Sequence, residues 1–271
     1  QHTSPHISPP FIPLCFSSFA PVTTDDVSKL LSQSPDTNCD LDPIPTSLLK
    51  QCSHALLPTI TNIINLSIST GVFPDQFRSC SVHSHLKKAN LDRENLSNYR
   101  PISHLSFLSK LTERMVKLRL TEFLSNNNLL NSFQSAYIKH HSTETALLSV
   151  HDHIIKAMSH QQVTCLTLFD LSAAFDTIDH TILLERLSAW FGITSTALSW
   201  VKSYLLNRSF YVSIEDSVSS VYQFYLSFSA AGLSHNITFL ETAVSNVSNW
   251  MSTHFLTINP SKTEFFVIGL P

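Results

Sequence analysis

Residues 163–169 read Val-Thr-Cys-Leu-Thr-Leu-Phe and run straight into Asp170. A short run of β-branched and apolar residues of this kind is read as a buried strand. It delivers a carboxylate at its end, and that limits the folds open to the chain. Around it, Phe210–Ile214, Val221–Phe228 and Phe265–Ile268 also read as strands. Helices are expected at 180–190 and 195–206, and a long amphipathic helix over 234–254 with Ile237, Leu240, Val244, Val247, Trp250 and Met251 on one stripe. Strands alternating with helices imply an α/β (α+β) layer fold. The 163–170 strand is expected to lie centrally in a small sheet, near 210–214 or 265–268.

Upstream, Pro5, Pro9, Pro10, Pro13 and Pro21 among Ser and Phe mark residues 1–22 as an irregular linker. Thr23 before Asp25-Asp26 is a helix N-cap signal for the apolar period Val27, Leu30, Leu31. Pro43-x-Pro45-Thr46 opens a helix through about Leu57, and residues 58–70 read as another, stopped by Gly71 with Pro74 beyond. Residues 80–105 read as two extended segments around a polar loop. Leu108, Leu111, Met115, Leu118 and Phe123 recur at helical spacing before Asn126-Asn127-Asn128. A further helix is expected from Thr143 to Met158, with Ala146, Leu147, Val150, Ile154 and Ile155 on one side.

With 271 residues, 43% of them hydrophobic, the chain can bury a real core, as one large domain or two small ones. A net charge of −3 and a pI near 6.5 argue against strong independent binding of DNA or RNA. The five cysteines form no CxxC pair and read as free thiols of a reducing compartment. No HExxH occurs among the 14 histidines, and His140-His141 and His151/His153 read as surface or loop residues. No signal peptide and no apolar run of membrane-spanning length is seen, so an intracellular protein without a membrane partner is expected. The triplets Asn65-Leu66-Ser67 and Asn236-Ile237-Thr238 are then chance matches to a glycosylation signal. Gln1 and Pro271 read as cuts through a longer polypeptide.

The chemistry lies in Phe169-Asp-Leu-Ser-Ala-Ala-Phe-Asp-Thr-Ile-Asp-His180. Alone, an Asp after a strand reads as a turn or helix cap. A carboxylate at a strand end can also hold Mg²⁺, which prefers one or two carboxylates plus substrate phosphates. The whole segment resembles the first catalytic motif of reverse transcriptases from non-LTR, LINE-type retrotransposons. Leu86-Lys-Lys88 with Asn98-Tyr-Arg-Pro-Ile-Ser103 resembles the family's fingers region. Phe133-Gln-Ser-Ala-Tyr137, His141-Ser-Thr-Glu-Thr-Ala146 and Asn259-Pro-Ser-Lys-Thr-Glu264 resemble further motifs in the family's order. Ile138 stands where the family often has Arg, which removes a basic template contact. The likeness runs from about residue 15 to the C-terminus.

The resemblance implies a right-hand polymerase: linker 1–22, helical N-terminal extension 23–74, fingers 75–160 and an incomplete palm 161–271. It implies an RNA-directed DNA polymerase that uses Mg²⁺, an RNA template, a DNA primer and dNTPs. Asp170 would bind the metal, with the Leu171 carbonyl facing it, and the Phe175 ring would sit under the incoming sugar and exclude a 2′-OH. Lys87 or Lys88 and Arg100 would reach the triphosphate, for which the Arg fork is suited. Arg100 is expected across one cleft from Asp170 and Phe175. Lys262 would protonate departing pyrophosphate, and Asp176 and Asp179 read as helix-capping or surface residues.

The family's second metal motif, an Ala-Asp-Asp hairpin, should fall between Val212 and Leu240, with a Pro-Gln-Gly segment before it. Neither occurs there, and the only Asp-Asp is Asp25-Asp26. The reading is an internal gap of several dozen residues joined near Gln223-Phe224, and no polymerisation. Glu215 and Asp216 are the remaining carboxylates near the join. Two other classes stand beside it: a non-catalytic nucleic-acid-binding fragment, served by Lys87, Lys88, Arg93, Arg100, Lys110, Arg114, Lys117 and Arg119, and a pseudogene product without molecular function.

Overall fold

The computed structural model describes residues 14–36, 39–95, 98–169, 178–214, 217–223 and 264–268. The expected 234–254 helix lies outside them, as do all but the start of 221–228 and the residues Asp170, Leu171, Phe175, Asp176 and Lys262. The chain forms two compact units, 1–127 with 184–225, and 128–183 with 226–271.

The first unit is built on a helical core. Helix α1 (Thr24–Gln33) starts at the Thr23 cap, whose side chain accepts from the Asp26 amide while the Asp26 carboxylate accepts from the Thr23 amide. The region after Pro45 divides into α2 (Thr46–Gln51) and α3 (Ser53–Thr70). The break falls at Cys52 rather than at Pro58, and α3 carries Pro58 in its second turn. Gly71 ends α3 in the left-handed conformation, at φ 69°. A Cβ there would stand 2.9 Å from the Thr196 carbonyl oxygen, so packing as well as backbone demands glycine.

Helices α4 (Phe107–Asn126) and α7 (Ser195–Leu205) complete this core, with Val27, Ile64, Leu111, Met115, Phe73 and Trp200 buried. Phe73 packs edge-on against Trp200 and Tyr204, and Trp200 donates to Ser67 Oγ at 2.9 Å. Residues 14–22 are irregular, yet they are packed rather than loose. Phe19 and Val22 are buried, and the Asn65 side chain holds Val22 by both its amide (2.7 Å) and its carbonyl (2.9 Å). Asn65 and Ser67 therefore have structural partners, which fits the reading of their triplet as a chance match.

Strands β1 (Ser79–Leu86) and β2 (Tyr99–His104) form an antiparallel hairpin. β4 (Ser209–Ile214) joins β1 in parallel, and β5 (Ser217–Val218) and β6 (Tyr222–Gln223) both pair with β4. The resulting order is β2-β1-β4-β5.

The second unit contains α5 (Thr143–Ser159), β3 (Thr164–Leu168) and β7 (Glu264–Ile268). α6 (His180–Phe191) begins in it and runs on into the first unit. β3 pairs with β7 alone among the described strands, antiparallel, with Leu168 opposite Glu264. The 265–268 neighbour is as expected; among the described strands β3 has no second neighbour, and it is not buried: Leu168 is exposed. Helix α5 likewise buries none of its residues, and Leu147, Val150 and Ile155 are exposed. Periodicity marks the stripe that a helix can bury; a neighbour has to supply the burial.

No described helix is long and apolar enough to cross a membrane. All five cysteines are free thiols; Cys80 is buried, which raises its pKa.

Candidate nucleotide-binding hairpin

The β1–β2 hairpin is the element that positions the predicted phosphate-binding residues. Its open end is closed by the Lys87 amide donating to the Asn98 carbonyl at 2.8 Å. The loop is tied back by Asn98 Nδ2 donating to the Asp92 carbonyl and Tyr99 Oη to the Arg93 carbonyl. Lys87, Lys88, Arg93 and Arg100 are all exposed at this end. The register pairs Arg100 with His85 and Tyr99 with Leu86, so the structure brings Lys87, Lys88 and Arg100 together at one tip.

Side chains alternate along a strand, and cross-strand partners share a face. His83 and His85 therefore share a face with Ile102 and Arg100, their partners, and with His104, the partner of Ser81. The His83 and His104 rings meet edge to face with centroids 4.7 Å apart. His83 Nε2 shares a hydrogen bond of 2.9 Å with Ser81 Oγ and lies 4.0 Å from Asp40 Oδ2. Burial depresses the His104 pKa, and His83, Lys110 and His85 push it the same way against a weaker opposite pull from Asp40. The sequence expectations, which weighed HExxH, His140-His141 and His151/His153, did not include this group. The spacing His83-x-His85 inside an extended segment was the available signal, because residues two apart in a strand face one way.

Asp170, Leu171, Phe175 and Lys262 cannot be placed on this geometry, since they lie outside the described residues. Arg100 belongs to the first unit and Asp170 to the second. Asp179 does what its capping role requires: its Oδ1 accepts from the Thr181 and Ile182 amides at 2.7 and 3.0 Å, opening α6. Among the described residues no three His, Cys, Asp or Glu side chains converge to hold a metal.

A family model described as reverse transcriptase (RNA-dependent DNA polymerase) matches residues 86–234, from the last residue of β1 to beyond β6. The chain belongs to the reverse transcriptase family. This reverse transcriptase segment is 26% identical to the "RNA-directed DNA polymerase from mobile element jockey" of Drosophila melanogaster, over 86% of the chain and 25% of that protein. It is 26% identical to the "Probable RNA-directed DNA polymerase from transposon BS" of the same species, over 73% of the chain and 22% of that protein. To the "Probable RNA-directed DNA polymerase from transposon X-element" it is 28% identical, over 66% and 19%. The resemblance to non-LTR retrotransposon reverse transcriptases therefore stands. The chain spans roughly a quarter of the length of these curated relatives. Its mixed helices and small sheets agree with a fingers and palm fragment.

Proposed function

We propose that the chain is a remnant of an RNA-directed DNA polymerase that keeps the family's nucleotide-contact residues but does not polymerise. The observation that carries this reading is the β3–β7 register. Leu168 and Glu264 pair at one end of the ladder. The chain leaves that end two residues before Asp170 and enters it two residues after Lys262. A family metal ligand and a family proton donor thus attach to the same end of one ladder. In this reading 75–160 serve as fingers and 161–271 as an incomplete palm, behind a linker (1–22) and a helical extension (23–74).

Lys87, Lys88 and Arg100 would hold the triphosphate by charge-assisted hydrogen bonds. Phe175 would pack under the sugar. Asp170 and the Leu171 carbonyl would hold Mg²⁺, which in this family supplies charge stabilisation at the transferring phosphate. The sequence argues against turnover, because Glu215 and Asp216 are the only carboxylates between Val212 and Leu240, where the family's second metal motif should fall. Two-metal transfer needs carboxylates on both sides of the reacting phosphate. An internal gap near Gln223-Phe224 accounts for the missing pair. RNA binding without synthesis is a further reading, favoured by the exposure of Lys87, Lys88, Arg93, Arg100, Arg114 and Lys117 within one stretch of chain.

A fluorescent dNTP titrated into the full chain tests the nucleotide contact. Binding weakened roughly tenfold by Arg100→Ala, equivalent to one charge-assisted contact, is the expected result. Equal affinity of the two proteins would overturn the assignment of Arg100.

A further inference from the structure

We propose that His83, His85 and His104 form, with Arg100, a phosphate-binding face on the fingers sheet that engages when the imidazoles take up protons. The proposal deepens the nucleotide-handling reading and rests on it for Arg100. Its basis is placement. Three imidazoles and a guanidinium share one face of a two-stranded ladder, with His85 directly opposite Arg100. His83 and His104 touch, and His85 and Arg100 are exposed. Imidazole is the side chain that changes charge between about pH 5 and about pH 8. Proton uptake would turn a face with one fixed cation into one with several, each able to donate to a phosphate oxygen.

The surrounding charges set the direction. Asp40 Oδ2 lies 4.0 Å from His83 Nε2. Ser81 Oγ shares that nitrogen, and Ser213 of β4 is the parallel partner of His83. Lys110, His83 and His85 all oppose a proton on His104, and burial opposes it further. Like charges brought this close favour an anion between them, so phosphate and protons bind cooperatively. Phosphates of a nucleic-acid strand and of a nucleoside triphosphate offer the same chemistry.

The test is equilibrium binding to the full chain at about pH 5.8 and about pH 7.8. One ligand is a single-stranded oligouridylate of about 12 nucleotides, whose phosphodiester charge is constant over this range. The other is dTTP without metal; its terminal phosphate loses charge in acid, so tightening at low pH must come from the protein. Oligouridylate affinity is expected to rise about tenfold or more in acid. Its salt dependence should steepen by about 0.7 per phosphate newly contacted. Tightening of dTTP alone would identify the triphosphate as the source. Because the chain has 14 histidines, the deciding variant is H83Q/H85Q/H104Q, which should lose the acid gain for either ligand and keep the affinity at high pH. H85Q alone, at an exposed position, should lose part of the gain, and circular dichroism should show both variants folded. A gain that survives in the folded triple variant overturns the proposal. So does pH-independent binding that still responds to R100Q, which would leave the nucleotide reading intact. No binding of either ligand at either pH would overturn both.

Discussion

Gly71 is a position where a single side-chain atom is decisive. Its φ of 69° and the 2.9 Å approach of any Cβ to Thr196 O act together. Gly71→Ala should cost about 2–3 kcal/mol in urea unfolding, the sum of backbone strain and a contact that must open; a loss under about 0.5 kcal/mol would contradict this account. Glu113 offers a test by pH. Burial raises its pKa although Arg208 Nη2 stands 3.6 Å away, and Arg208 also stacks over the Tyr204 ring. A carboxyl with a raised folded pKa binds its proton more tightly when folded. Its contribution is therefore greatest in acid and declines as pH rises from the ordinary Glu value, about 4.3, through the raised one. The stability of wild type relative to Glu113→Gln should accordingly fall as pH rises above about 4. A difference that stays flat or grows, measured by urea melts, would show that the Arg208 attraction outweighs burial.

At the scale of elements, local chemistry was legible and partnership was not. Thr23 capped α1 and Gly71 stopped α3 because caps depend on neighbours in the chain. The two extended segments around 80–105 became β1 and β2 for the same reason. The types of α5 and β3 were read correctly; the burial expected of β3 was not found, because burial depends on distant segments. The parallel pairing of β1 with β4 joins residues 130 positions apart, such as Ser79 and Ser209, and no local pattern encodes it. Of the candidate site, Lys87, Lys88 and Arg100 were named from the family resemblance, and the hairpin, a local element, brings them to one tip. The histidine face needed the register. Two element-level outcomes are expected. Asn65→Ala, which frees both polar groups of Val22, should cost about 2–3 kcal/mol and hasten proteolysis within 14–22. Asp179→Ala should cost about 1 kcal/mol through loss of the α6 cap, and thermal melts that match wild type would remove that role.

For the whole molecule, the family is shown by a match that begins at the end of β1 and reaches beyond β6, while the proposed lack of turnover rests on a sequence that offers only Glu215 and Asp216 as carboxylates between Val212 and Leu240. Removing even one preorganised electrostatic contact costs roughly 10²–10³ in rate, and a missing carboxylate pair should cost more. The most direct measurement is primer extension by the purified full chain on a primed RNA template, with all four dNTPs and either Mg²⁺ or Mn²⁺. The account predicts no extended product, with the same background in wild type and Asp170→Ala. Template-dependent extension that disappears in Asp170→Ala would contradict it, and would mean that Glu215, Asp216 or another carboxylate completes the site.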